Sequence, residues 1–176
     1  MADPRVAGYA EALFFVAAAE DDLSVVEDEL FRFAQALRSD DDLGSTLADR
    51  ALPMARRLQV VEDLLGGRAS AVTTALVSMV VGAGRSAELP AIVDAMLERS
   101  AASRNKAVAT VRSAVDLTAD QRERLAAAIN TRTGREVEVR VVIDPSVLGG
   151  VVTEIGDDII DGSVRRRLNQ LRESFR

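Results

Sequence analysis

From Met1 to Asn105 apolar side chains recur at steps of three and four, the period of a helix with one face turned inward. Val6, Tyr9, Ala10, Leu13, Phe14 and Ala17 set the first stripe, and Pro4 falls where a first-turn proline is tolerated. Leu23, Val26, Leu30, Phe33 and Leu37 set a second, with Asp21-Asp22 at its start, favourable for the helix dipole. A short helix is expected from Leu43 to Ala48. Pro53 opens another, with Leu58, Val61 and Leu65 inward and Gly66-Gly67 at its end. Ala69 to Val81 is apolar nearly all round, so it is expected to be the most buried helix, closed by Gly82 and Gly84. Leu89, Ile92, Val93, Met96 and Leu97 make the last helix, with Pro90 in its first turn, running to about Ser103.

At Lys106 the period changes to two. Ala107, Ala109 and Val111 alternate with Val108, Thr110 and Arg112, the pattern of a strand. Thr118-Ala-Asp-Gln121 is close to a capping box and opens a helix carrying Leu125, Ala128, Ile129 and Arg132, which ends at Gly134. Val137, Val139 and Val141 then alternate with Glu138 and Arg140 until Asp144-Pro145 stops the run. Gly149-Gly150 allows a tight reversal, because glycine accepts positive φ without steric cost. Val151 to Ile155 reads as a further short strand, and Gly156 and Asp161-Gly162 as two turns. Ser163 is placed as an N-cap, with Val164, Leu168, Leu171 and Phe175 on one helical face. The pattern predicts a mainly α chain: an N-terminal six-helix bundle over 1–105, then a small α/β module over 106–176 with a short sheet and two helices. No internal repeat or low-complexity linker separates them.

Composition narrows the function. The 176 residues suffice to bury a core, but aromatics are only 3%, so alanine, leucine and valine must fill it. That suits close-packed helices. The net charge of −6 argues against nucleic acid as the main partner, since phosphate binding needs a concentrated positive field. Cysteine and histidine are both absent, which removes thiol catalysis, disulfides, histidine triads and the common zinc sites together. Such a chain is expected to bind or connect, with no cofactor and no metal. No apolar run reaches the roughly 18 residues that span a bilayer. Ala12 to Ala19 resembles a signal-peptide core, but Glu11 at its start makes a packed helix the better account. A cytosolic or cytosol-facing location follows as the expectation.

Individual motifs add little chemistry. Gly82-Ala-Gly84-Arg-Ser-Ala87 fits the loose dinucleotide pattern G-x-G-x-x-A, but the run before it has helical length, so a helix–helix junction is expected. Asp157-Asp-Ile-Ile-Asp161-Gly162 has the glycine of a calcium loop but an isoleucine at a ligand position, so its aspartates read as turn formers. Arg165-Arg166-Arg167 reads first as a solvated face, with an acidic partner or an anion as the alternatives. Ala12–Ala19, with Leu13, Phe14, Phe15 and Val16, and Ala69–Val81 are both wider in apolar surface than one stripe needs. Either both are deeply buried, or they share a groove for a partner's amphipathic helix. An enzyme would need a polar site with paired carboxylates, and none appears at helical or strand spacing.

The stretch from Asp144 onward resembles the signature of the ATP synthase delta subunit, called the oligomycin-sensitivity-conferring protein in mitochondria. Asp144-Pro-Ser-Val-Leu-Gly-Gly150, Ile155-Gly-Asp157, Asp161-Gly-Ser-Val164 and the spaced Leu168 and Leu171 carry the likeness. Tyr9-Ala-Glu-Ala-Leu13, Gly84-Arg85 with Leu89-Pro90, and Val111-Arg-Ser-Ala-Val-Asp-Leu-Thr118 extend it across the chain. Thr74-Ala75-Leu76 stands near where the family often has an Asn-Phe pair. The resemblance implies a non-catalytic stator component of the rotary, proton-translocating ATP synthase, present once per complex on the cytoplasmic face of the cell membrane. Its membrane association would run indirectly, through the complex. The helical part would hold N-terminal helices of alpha subunits in a groove formed by Tyr9, Ala12, Leu13, Val16, Val72, Leu76, Met79 and Val80. The C-terminal module would bind b subunits of the peripheral stalk, with Asp144, Gly149, Gly150, Gly156, Asp157, Asp161, Gly162 and Arg165 as contact or turn residues. The competing reading is a helical adaptor unrelated to ATP synthase.

Overall fold

The side chains of Asp3, Asp40, Ser70 and Thr118 cap the starts of four helices. The computed structural model describes residues 3–20, 23–104, 106–147, 149–156 and 158–163. In α1 (Pro4–Ala19) the Asp3 carboxylate accepts the Arg5 N–H at 2.9 Å, and Pro4 takes a first-turn position where its missing N–H is harmless. Ala10, Leu13 and Ala17 are buried, a narrow stripe that leaves Phe15 and Val16 in solvent. In α2 (Leu23–Ser39) Val26, Leu30, Phe33 and Leu37 turn inward as the spacing predicts, joined by Phe31 and Ala34. The expected Asp21-Asp22 start lies outside the described residues. Glu27 is buried on the same helix, and its carboxylate accepts the Ser100 hydroxyl.

The third helix, α3 (Asp41–Ala48), begins earlier than its apolar residues suggest, because the Asp40 side chain caps the Leu43 N–H at 3.0 Å. In α4 (Met54–Leu65) Val61 is fully buried and Pro53 stands at the cap, as expected. In α5 (Ala71–Gly82) Ser70 caps the Thr73 N–H at 3.1 Å. Here the sequence reading needs correction. The helix buries Thr73, Leu76, Val77, Val80 and Val81, but Ala71, Ala75 and Met79 form an open face one helical turn apart. A helix apolar nearly all round has no inner side set by composition alone; neighbouring helices choose it. The Gly82–Ala87 motif lies at a junction of α5, a 3-10 turn at Ser86–Glu88 and α6 (Leu89–Ser103), with no strand before it. Leu89, Ile92, Val93, Met96 and Leu97 of α6 are all buried, matching the predicted stripe.

The sheet portion follows. β1 (Ala107–Ser113) pairs parallel with β2 (Val137–Ile143) through the crossover helix α7 (Ala119–Thr133). The capping box at Thr118 and Gln121 is complete, and Gly134 ends α7 at φ 68°, its N–H donating to the Asn130 carbonyl at 2.8 Å. The inner face of α7 carries Leu125, Ala126 and Ile129, while Ala128 and Arg132 are exposed. β3 (Val151–Ile155) pairs antiparallel with β1, and β4 (Asp158–Asp161) antiparallel with β3, giving the order β2-β1-β3-β4. β4 is a strand where turns alone were expected, because Ile159 and Ile160 face Glu154 and Thr153 in the ladder. The helix expected after Ser163 lies outside the described residues.

The chain is mainly helical with this small four-stranded sheet, and it divides into two compact units, Met1–Ser100 and Ala101–Arg176. Among the described residues no helix is long and apolar enough to cross a membrane.

Candidate partner-binding faces

The first candidate face belongs to α1 and α5. Of the residues expected to line a groove there, Leu13, Leu76 and Val80 are buried in the helical core. A charged residue at Leu13 or Leu76 would therefore test folding before it tested binding. Tyr9 and Val72 are half-buried, and Ala12, Val16 and Met79 are exposed. Val16 keeps 43% and Met79 44% of its surface in solvent. Phe15, absent from the expected set, keeps 57%. Its place off the buried stripe was the available signal: an aromatic side chain with no inward position is surface that wants a cover. Met54, at the start of α4, is also exposed, and its sulfur would lie 3.8 Å from a Cβ placed on Gly82.

Polar groups hold this face in shape. The Arg85 guanidinium lies 5.3 Å from the Tyr9 ring centre, linking the segment after α5 to α1. The same guanidinium bonds the Glu88 carboxylate at 2.5 Å, which raises its pKa. On the other side of α1, Arg99 stands 5.8 Å from the Phe14 ring and 3.5 Å from the Glu11 carboxylate.

The second candidate set is the signature of the sheet unit, and the structure makes most of it into turns. Asp144 Oδ1 accepts the Ser146 N–H at 2.9 Å, while the Asp144 N–H donates to the Ser113 carbonyl at 2.8 Å. Hydrogen bonds from Ser146, side chain and backbone, and the charge of Arg112 hold the Asp144 carboxyl below its ordinary pKa. Gly149 and Gly150 have φ of 104° and 76°. A Cβ on Gly150 would sit 2.5 Å from the Gly162 carbonyl oxygen, and the Gly162 N–H donates to Val151 at 2.9 Å. Two backbones therefore touch where these glycines stand, so their chemistry is the absence of a side chain. Asp161 Oδ1 accepts the Ser163 N–H at 2.9 Å, and Gly156 turns the β3–β4 hairpin at φ 56°. Asp157 and Arg165, with Arg166 and Arg167, lie outside the described residues.

One charged group is buried without any sign of it in the sequence. The alternation in β2 puts Arg140 on the face opposite Val139, and that residue is nevertheless buried, only 8% exposed. Arg140 and Arg104 both pair with Glu138, the latter at 2.7 Å. Burial alone would raise the Glu138 pKa, but the two guanidinium charges outweigh it and the value is lowered. Among the described residues no group of carboxylates converges as a metal site would require.

A family model described as the ATP synthase delta (OSCP) subunit matches residues 6–175. A protein of Nocardia farcinica named ATP synthase subunit delta is 44% identical over 175 residues, which is 99% of this chain and 65% of that protein. One of the same name from Streptomyces avermitilis is 41% identical over 150 residues, 85% of this chain and 55% of its own length. The chain thus spans less than two thirds of these curated relatives. Among solved structures, a chain in the cryo-EM structure of the Toxoplasma gondii mitochondrial ATP synthase hexamer shares the fold with a TM-score of 0.60, at 24% identity and 98% coverage of both chains. With the signature turns in place and the family match running through both units, the chain belongs to the ATP synthase delta (OSCP) subunit family.

Proposed function

We propose that this chain is a non-catalytic stator component of the rotary, proton-translocating ATP synthase. The observation that carries the reading is the family match over residues 6–175. In this reading the helices of 1–105 form a six-helix bundle that binds alpha subunits of the catalytic head. The exposed Phe15 and Val16 of α1 and Met79 of α5 support it, being apolar surface of a kind that takes the apolar side of an amphipathic helix. The module of 106–176 binds b subunits of the peripheral stalk. One copy serves each complex, at the cytoplasmic face of the cell membrane, with membrane association through the complex alone. A helical adaptor unrelated to ATP synthase gains no support, because the match covers both units.

The physical task is to oppose rotation. Proton flow turns a rotor, and torque reaches the catalytic sites only if the head stays still. A joint under such load is better served by several buried apolar contacts than by an exposed ion pair, which salt weakens. The test is to strip the protein from energised membrane vesicles and restore it. Proton-coupled ATP synthesis is expected to fall and then recover, and synthesis that is indifferent to the protein overturns the proposal. A finer test replaces both Val16 and Met79 with aspartate. Binding of an alpha-subunit N-terminal peptide is expected to weaken at least about tenfold, as for loss of a central apolar contact.

A further inference from the structure

A second concave surface lies between α2, α3 and the turn from α4 to α5, on residues the stator reading does not use. It is a cleft of about 230 Å³ with an apolar wall of Phe33, Leu43, Leu64 and Leu65. Arg32 and Arg68 stand at its edge, on a chain whose net charge is −6. Glu29 is the carboxylate among its lining residues, and it is already engaged. Its two oxygens accept the Ser70 N–H at 3.1 and 3.0 Å, and one accepts the Ser70 hydroxyl at 2.8 Å. Burial acts to raise the Glu29 pKa, but hydrogen bonds from Thr73 and Ser70 and the nearby charge of Arg32 lower it overall. Glu29 offsets one of the two guanidinium charges, which leaves a net positive charge beside exposed hydrocarbon.

We propose that this cleft binds a free single-chain amphiphile with an anionic head, the head held by Arg32 and Arg68 and a short alkyl chain held by the apolar wall. Charge and shape select this class. A bare anion would leave the wall unused, and a neutral alkyl chain would leave unmatched the surplus positive charge of two arginines against the one carboxylate, Glu29. The cleft's volume of about 230 Å³ suits a short alkyl chain such as that of octanoate.

The test uses the whole chain with methyl-labelled leucine and follows the Leu43 and Leu64 signals by NMR during addition of octanoate. Saturable shifts confined to these leucines and Leu65 are expected. Hexanoate should bind more weakly, by about fourfold for each methylene lost. Octanol and acetate should each bind at least about tenfold more weakly than octanoate, and so should octanoate to Arg32→Ala or Arg68→Ala. Both arginines are at the surface edge, so the variants keep the fold, which the unchanged signals of Leu30 and Leu47 verify. Absence of saturation at millimolar octanoate overturns the proposal. So does equal binding of octanol, or full affinity in the double arginine variant. None of these readouts depends on ATP synthesis or on the α1–α5 face, so the two proposals fail separately.

Discussion

The helical unit and the sheet unit hold together by different means. In the helical unit, large side chains such as Leu13, Leu30, Leu47, Leu89, Ile92 and Met96 are withdrawn almost completely from water. Among the described residues of the sheet unit, one cluster gathers Ala109, Ile129, Val137 and Ile155 with a few half-buried neighbours, and Val111 is withdrawn from water as fully. The sheet unit adds a close approach of two backbones at Gly150 and Gly162, and a guanidinium–carboxylate group around Glu138. Dispersed burial tolerates the loss of one contact better than a pinned turn does. The contrast teaches that the two units should fail in different ways.

The sharpest way to expose that difference is Gly150→Val. The side chain would meet the Gly162 backbone, and the residue would be held at positive φ. A loss of about 4 kcal/mol or more is expected, enough to unfold the sheet unit while the signals of α2 and α6 persist in a two-dimensional NMR spectrum. If both units melted together, the contrast would be wrong. Leu30→Ala should come next, costing the helical unit about 3 kcal/mol by chemical denaturation, as for other fully buried leucines.

Glu138→Gln is expected to cost less, about 1–2 kcal/mol at neutral pH, because it leaves Arg140 with a weaker partner in a buried place. Its pH dependence gives an independent reading. The folded pKa of Glu138 is lowered from an ordinary 4.5. Its contribution is therefore complete above that value and lost as pH falls through the lowered one. The variant should show a flatter acid limb in a stability–pH curve, and an unchanged limb would move the acid sensitivity elsewhere. The smallest stability effect belongs to Met79→Ser. With its side chain in solvent, the change should stay within about 0.5 kcal/mol in thermal unfolding, yet lower affinity for an alpha-subunit peptide.

The same contrast explains what could be read from the sequence. The stripes of α2 and α6 were legible because each has one apolar side, so burial had a single solution. The capping box of α7 was legible because the whole device lies within a few residues. Where composition left two solutions, the neighbours decided. α5 is apolar nearly all round, and only packing shows that Ala71, Ala75 and Met79 stay open. Asp158 to Asp161 looked like turn residues, and cross-strand pairing made them an edge strand. Alternation in β2 divided its residues correctly between two faces, but it gave no hint that Arg140 would be buried as well. For the candidate sites, the signature glycines and aspartates were found, but their role as a backbone pin appears only in three dimensions. The cleft at Arg32 and Arg68 gathers three segments, and no local pattern announces it.

The pin has a genetic consequence. Gly150 and Gly162 are separated by the whole β3–β4 hairpin, yet each leaves empty the space that the other's neighbourhood needs: a Cβ on Gly150 meets the Gly162 carbonyl, and one on Gly162 comes within 3.3 Å of the Val151 carbonyl. Alanine at either position would push the same two backbones apart. The second alanine would then find the gap already opened, and the double variant should be less damaged than the sum of the singles. Under mutation the two glycines would behave as one heritable unit, lost together more cheaply than one after the other.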